Sequence, residues 1–478
     1  MNSFVNAVKN QDARTANGML ARKSTASACV DLFFKAGASR GKDITKDFVA
    51  AYVENKEVAL RIAQWLRDAR GGAGERELFR QIMTYLDKHD QAAAAQLLMK
   101  VPEIGRWDDI FVVKNDKLKY QAYSMLGDAL RAKNGLAAKW TPRKGEVAVE
   151  VRNFFGMSPK FYRKSLVELS KTVEQEMCAG KWDEINFSHV PSVAHARYKK
   201  AFFRNTQEYA KYVAELVKDP KDRSMNVKIN AGAVYPYDVL KGLIGSYRSN
   251  YNATEANAVQ AQWDAMENFI GDANVLPLVD VSGSMTCKAG GAGSKSETTC
   301  LDVAVSLGLY CADKNKGKFK DTFLTFSRTP KLVNLKGNIN QKIDQMNTGE
   351  VANTDLNKAF ELILKTATDN NVPQAEMPQT LVIFSDMQFD QGCTHDDSAI
   401  EMIARKYEQA GYTIPKVVFW NLNAAYGNTP VSFDKKGTAL VSGFSPAVAG
   451  GIMGGNMDDF TPEAIMLKTV MKPRYDLA

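Results

Sequence analysis

The sequence predicts a two-domain protein: an all-α helical-repeat domain over residues 1–272 and a doubly wound α/β domain over residues 273–478. Three observations predict it. In the first half, apolar residues recur every three or four positions in one segment after another, and little alternates with period two. Near Asn274 the texture changes to short β-rich runs separated by helical patterns, the signature of a parallel sheet covered on both faces. The charge divides at the same place. Residues 1–272 hold 42 Lys+Arg against 32 Asp+Glu, a net +10, whereas residues 273–478 hold 20 against 22, a net −2.

The helical segments include EVALRIAQWLRDA, ERELFRQIMTYLDKH, DQAAAAQLLMKV, KYQAYSMLGDALRAK, KFYRKSLVELSKTVEQEMCAG and VAHARYKKAFFRNTQEYAKYVAELVKD. Short Gly, Pro or Asp breaks separate them. Such helices can bury their apolar faces only on one another, which predicts a HEAT-like array, although no strict sequence period marks it. The last of these segments reads as one continuous helix from Val193 to Lys218. In the second half VLPLVDVS, DTFLTFS, QTLVIFSDM, KVVFWNL and GTALVSG read as strands. TTCLDVAVSLGLYCADK, TDLNKAFELILKTATDN, AIEMIARKYEQAG and TPEAIMLKTVM read as helices.

With 478 residues, 45% hydrophobic and 24% charged, the composition is that of a folded soluble chain. No apolar run approaches the roughly 18 residues of a membrane span. The N-terminus MNSFVNAVKNQDARTANG lacks the apolar stretch of a secretory signal. The six cysteines form no CxxC pair, and the four histidines are too scattered for a zinc-finger spacing. A reduced, cytoplasmic protein without membrane contact is expected.

The stretch VLPLVDVSGSM, Val275 to Met285, carries the most chemistry. In a parallel α/β sheet, ligands bind outside the carboxyl ends of the strands. That logic puts Asp280, Ser282 and Ser284 at one such end and Asp386, in QTLVIFSDM, at a second. GEVANTDLNKAF puts Thr354 and Asp355 on a loop just before a helix, and Asp355 is left out of the metal set because it could simply be the N-cap of that helix. These are all oxygen donors. They suit a hard cation such as Mg²⁺ or Mn²⁺, which keeps several waters and takes one or two carboxylates. Hydroxyl donors leave the ion underneutralised, so an open position favours a carboxylate from a partner.

D-V-S-G-S-M, then T-D, then F-S-D on three successive loops resembles the metal-ion-dependent adhesion site (MIDAS) of von Willebrand factor A domains. The resemblance covers roughly residues 273–478. It implies Asp280, Ser282, Ser284, Thr354 and Asp386 as the metal positions, some acting through water. Two enzymatic patterns compete for the region. A dehalogenase-type phosphatase would use Asp280 as nucleophile, but the acid expected two residues later is Ser282. GGAGSKSE, Gly290 to Glu297, lacks the contiguous G-K-S/T of a phosphate loop and reads as a loop between strand and helix.

In the first half, ARKSTASACVDLFF, LRDARGGAGERELFR, GRWDDI, KWTPRKGE and VPSVAHARYKKAF resemble a family of plant, viral and bacterial proteins. That family joins a helical domain to a von Willebrand A-like domain, as Ro proteins do with their TROVE module. The resemblance implies helical repeats that can close into a ring, and binding of single-stranded or structured RNA. The residues add their own signal. Arg197, Lys200, Arg204 and Lys211 fall on one stripe at 100° per residue, a row suited to phosphates. Arg67, Arg70, Arg76 and Arg80 flank a Gly-rich turn before a helix N-terminus at about Glu75, where Asp68, Glu75 and Glu77 can also pair with them. Lys139, Trp140, Arg143 and Lys144 set cations beside an aromatic ring, which suits a stacked unpaired base. Each group can equally be a solvated or salt-bridged face. The expected function is a non-enzymatic Ro-like protein that binds single-stranded or misfolded RNA and, through a Mg²⁺ site, an acidic group on a protein partner. A Mg²⁺-dependent phosphohydrolase using Asp280 and a structural adhesion or assembly protein are the alternatives.

Overall fold

In the computed structural model, which describes residues 12–15, 17–244, 252–289, 297–326, 329–346, 355–389, 399–424, 427–452 and 459–477, a short hairpin leads into the helical half. Strands β1 (Asp12–Arg14) and β2 (Leu20–Arg22) form that hairpin. The helices follow as α1 Ala28–Ala36, α2 Thr45–Glu54, α3 Lys56–Arg67, α4 Arg76–His89, α5 Gln91–Ile104, α6 Asp116–Arg131 and α7 Gly135–Trp140. Then come α8 Glu146–Phe154, α9 Pro159–Ser170, α10 Val173–Cys178, α11 Ser192–Asn205, α12 Gln207–Leu216, α13 Pro236–Leu240 and α14 Ala253–Asp264. From α1 to α5 each helix packs on the next in sequence, as short links between amphipathic segments require.

Helix α3 shows how the packing is paid for in hydrogen bonds. Asn55 caps it by accepting the Val58 amide, and every residue from Val58 to Arg67 is buried. Three of those residues are polar, and a buried polar group needs a partner. Arg61 pairs with Glu57 and Asp476, Gln64 donates to the Tyr475 carbonyl, and Arg67 pairs with Asp109. Two of the partners come from the C-terminal tail. Arg474 and the Tyr475 hydroxyl add two more ties there, both to Asp68.

The expected single helix from Val193 to Lys218 is two helices. Thr206 sits between α11 and α12 with extended backbone, φ −153° and ψ 139°. Its hydroxyl accepts the Glu208 amide at 3.0 Å and donates to Asp183 at 2.5 Å. A threonine with an acidic partner outside the helix gains more as an N-cap than as an interior residue. The break puts Lys211 on a different helix from Arg197, Lys200 and Arg204.

The second half holds a six-stranded sheet made of β3 Val275–Asp280, β4 Thr322–Phe326, β5 Leu332–Asn334, β6 Thr380–Ser385, β7 Lys416–Asn421 and β8 Thr438–Ser442. Its helices are α15 Cys300–Lys314, α16 Ile339–Met346, α17 Leu356–Asp369, α18 Ala399–Gln409, α19 Ala449–Ile452 and α20 Pro462–Val470. The strand order is β5-β4-β3-β6-β7-β8, parallel except for the short edge strand β5. That antiparallel edge makes the sheet mixed. Strands β3 and β6 are buried along their whole length. The β4 ladder on β3 starts at Leu278, one residue past Pro277, whose nitrogen has no hydrogen to donate. From β3 the chain winds outward to β4 and β5, then returns to β6 on the other side. The strand order therefore reverses between β3 and β6.

One hydrophobic core runs from Met19 to Tyr475 through both halves, and a smaller one gathers around Phe187, Phe202, Tyr209 and Val213. The seam lies where α1 packs on β8. The Gly37 amide donates to the Ser442 hydroxyl at 3.0 Å, and that hydroxyl donates to the Phe33 carbonyl at 2.9 Å. A Cβ on Gly37 would lie 2.6 Å from the Ser442 carbonyl oxygen, so backbone would have to move. Gly37→Ala is expected to cost about 1–3 kcal/mol by forcing this contact apart. Urea unfolding measures it, and an unchanged midpoint would mean the seam is not packed this way. Among the described residues no helix is long and apolar enough to cross a membrane.

Candidate functional site

In doubly wound sheets the crevice at the carboxyl ends of the strands, where the order reverses, is the place ligands occupy. Here it lies between β3 and β6. Asp280 is the last residue of β3, and Asp386 follows the last residue of β6. The register sets Val279 opposite Phe384, which brings the two carboxylates to neighbouring positions.

Asp280 is fully buried and Asp386 nearly so. The Ser282 amide donates to one Asp280 oxygen at 2.9 Å and the Ser385 hydroxyl to the other at 2.7 Å. Ser385 is itself held by the Met387 amide at 3.0 Å, and Met387 has the left-handed backbone, φ 65°. The Gln388 amide donates to Asp386 at 3.2 Å, and the Ser284 hydroxyl lies within hydrogen-bonding reach of the same carboxylate. Ser282 and Ser284 hydroxyls are 3.0 Å apart. The structure thus brings Asp280, Ser282, Ser284 and Asp386 together. Thr354 lies outside the described residues, as does most of the Gly290 to Glu297 loop. Asp355 caps α17 by accepting the Asn357 and Lys358 amides, as expected.

Burial, and then the Asp386 charge, push the Asp280 carboxyl up to about 7. Burial also raises Asp386. Among the described residues no lysine or arginine forms an ion pair with either carboxylate, and no group of three or more His, Cys, Asp or Glu gathers anywhere. Two buried carboxylates without a cation are unfavourable. A donor set of two carboxylates and two or three hydroxyls is too poor in charge and sulfur for a structural zinc site, but it fits a hydrated hard cation.

Sequence reasoning missed two contributors. Ser385 stands inside the quoted F-S-D, yet a strand residue preceding the aspartate carries no mark of its own. The hairpin at the other end of the chain pins the loop after Asp386. Thr15 donates to the Phe389 carbonyl at 2.5 Å and Asn17 to the Gln388 carbonyl at 2.8 Å. No local pattern links residues more than 370 positions apart.

The basic residues fare unevenly. Arg197 and Arg204 are exposed on α11, with Lys200 half-buried between them. Lys211, on α12, is exposed and pairs with Glu208 at 2.7 Å. Arg67 is buried against Asp109 at 2.6 Å and therefore does not face solvent, which corrects its reading as a phosphate contact. Arg80 pairs with Asp109 and Asp108 at 2.8 and 2.9 Å, and Arg76 pairs with Glu77 at 2.9 Å. Arg70 is exposed. Lys139 lies 3.4 Å from Glu174. Trp140 is half-buried, and the Arg106 guanidinium sits 3.7 Å over its ring, so that face is not open to a base. Arg143 donates to Ser170 at 3.0 Å but is exposed overall, as is Lys144.

Two family models match the chain. Residues 274–470 match a domain of unknown function, DUF7788. Residues 15–106 and 147–275 match a second, DUF2828. An uncharacterized protein, L728, of Acanthamoeba polyphaga mimivirus is 29% identical over 523 aligned positions, which cover 96% of this chain and 87% of that protein. Among solved structures, the Ro (RSR) protein of Deinococcus radiodurans aligns over 94% of this chain and 100% of its own, with 13% identity and a TM-score of 0.46.

Proposed function

We propose that this chain is a non-enzymatic, Ro-like RNA-binding protein whose α/β half is a von Willebrand A-type domain. In this reading Asp280, Ser282, Ser284 and Asp386, with Thr354, hold one Mg²⁺ or Mn²⁺, and an acidic group on a protein partner completes its coordination. The observation that carries it is the pair of buried carboxylates at the reversal of the sheet, with no cationic side chain paired to either among the described residues. When bound, the cation supplies a positive centre for an external carboxylate. The chain's own part is to hold the donors still. Ser385 and the Ser282 amide orient Asp280, while the Gln388 amide orients Asp386. Titrating the full chain with Mn²⁺ tests the reading. One ion per chain is expected, and no uptake would remove the metal site.

Absence of catalysis is supported by the same geometry. Asp280 is fully buried and both its oxygens accept hydrogen bonds, a poor posture for in-line attack on a phosphate ester. Ser282 occupies the position where a dehalogenase-type enzyme carries its acid. Phosphatase turnover lost in Asp280→Asn would instead establish the hydrolase.

RNA binding by the helical half rests on the resemblance of its motif stretches to the plant, viral and bacterial family, whose link to Ro proteins is architectural, and on its net charge of +10. Arg197, Lys200 and Arg204, spaced three and four residues apart on α11, are the cation row of this reading, with Arg197 and Arg204 exposed and Lys200 half-buried. Three phosphate contacts on a single strand give a log–log salt slope of about −2, at about −0.7 per contact. Replacing all three by Gln is expected to flatten the slope by that amount and to weaken binding alike across sequences. Salt-dependent binding unchanged in the folded triple variant would assign the row to plain solvated surface. No binding by the wild type at low salt would remove the RNA function.

A further inference from the structure

We propose that Cys287 and Cys300 form a site of reversible oxidation, closing a disulfide when the protein meets hydrogen peroxide. Their Sγ atoms lie 3.5 Å apart, in van der Waals contact. The arrangement is built by backbone. Lys288 and Thr299 form an antiparallel bridge, the Cys300 amide donates to the Cys287 carbonyl at 2.9 Å, and the Ala289 amide donates to the Thr298 carbonyl at 2.9 Å. The two thiols therefore face each other across a short ladder and are not neighbours by accident of rotamer.

The surroundings give the two sulfurs different parts. Cys287 is half-buried, so a small oxidant can reach it. Asn423 donates from its side-chain amide to the Cys287 sulfur at 3.2 Å. Asn423 is held in turn at the end of β7, its own amide donating to the Asn421 side chain at 2.9 Å. Cys300 is fully buried as the first residue of α15 and lies 3.5 Å from the Leu422 carbonyl oxygen. Its sulfur is shielded from direct attack, so Cys287 is the expected first target of peroxide.

The chemistry then runs in two steps. The Cys287 sulfur attacks one peroxide oxygen, the O–O bond breaks, and hydroxide leaves and is protonated to water, giving a sulfenic acid. The Cys300 sulfur attacks the Cys287 sulfur, the S–O bond breaks, and a second water leaves with the Cys300 proton. Two thiols lose two electrons and one peroxide takes them. The sulfurs must close from 3.5 Å to about 2.05 Å, a movement that rotation about the two χ1 bonds can share.

Peroxide treatment of the native full-length chain, alkylation of remaining thiols and peptide mass spectrometry form the test. The expected product is a Cys287–Cys300 linked peptide, two hydrogens lighter, that dithiothreitol reverses. It should form before Cys178 is modified, although Cys178 is the more exposed residue. Cys287→Ser should leave Cys300 fully alkylated. Cys300→Ala should stop Cys287 at the sulfenic acid, trapped by dimedone. Free Cys287 and Cys300 after Cys178 has been oxidised, or Cys287 linked to another cysteine, would overturn the proposal. The linked peptide reports on the two thiols and Mn²⁺ uptake on the crevice, so failure of one reading is distinguishable from failure of the other.

Discussion

Asp280→Asn is expected to lower Mn²⁺ affinity by at least about 100-fold while leaving the fold intact. Loss of a partner that merely orients a metal ligand typically costs about 10–100-fold, so loss of a ligating charge sets a higher floor. The fold survives because asparagine keeps the shape and most of the hydrogen bonds. Its oxygen still accepts the Ser282 amide, and its amino group faces the Ser385 hydroxyl, which can turn to accept. The neutral side chain also ends the repulsion from Asp386 that helps raise the Asp280 carboxyl in the metal-free protein. Ser385→Ala acts one step further out, freeing Asp280 to rotate, and should cost about tenfold. Calorimetry or the electron paramagnetic resonance signal of free Mn²⁺ reads both. Equal uptake by wild type and Asp280→Asn would end the metal reading, and the buried carboxylates would then need another account.

Asp109→Ala is expected to remove about 3–5 kcal/mol of stability, the usual result of breaking a buried ion pair from one side. Asp109 is fully buried and serves three donors. Arg67 meets it at 2.6 Å, Arg80 at 2.8 Å and the Arg106 amide at 2.9 Å. Removing the carboxylate leaves the Arg67 charge buried at the end of α3 without its ion-pair partner. Arg80→Ala should cost much less, because Arg80 is partly exposed and Arg67 keeps its partner. Urea unfolding of the two variants separates these cases. A loss below about 1 kcal/mol for Asp109→Ala would mean that water reaches the pair.

The sequence by itself determined those parts of the protein that depend on neighbours in the chain. Alternating strand and helix patterns after Asn274 announced the doubly wound half, because period and turn chemistry act over a few residues. The spacing D-x-S-x-S placed Asp280, Ser282 and Ser284 on one loop because a strand end and its turn fix three side chains together. Asp355 was legible as an N-cap for the same reason.

Tertiary structure alone decided what depends on distant partners. Whether Arg67 faced a phosphate or a carboxylate was settled by Asp109, 42 residues away, because an unpaired guanidinium is costly to bury. Thr206 split an apparently continuous helix once Asp183 stood within reach of its hydroxyl. The pairing of Ser385 with Asp280 needed β3 and β6 to lie side by side, 105 residues apart in sequence. The hairpin that pins the loop after Asp386, and the C-terminal tail that meets Arg61 and Gln64 of α3, came from opposite ends of the chain. A periodic pattern records which face of an element is buried. It does not record which other face covers it, since apolar contact is non-directional and many partners satisfy it equally.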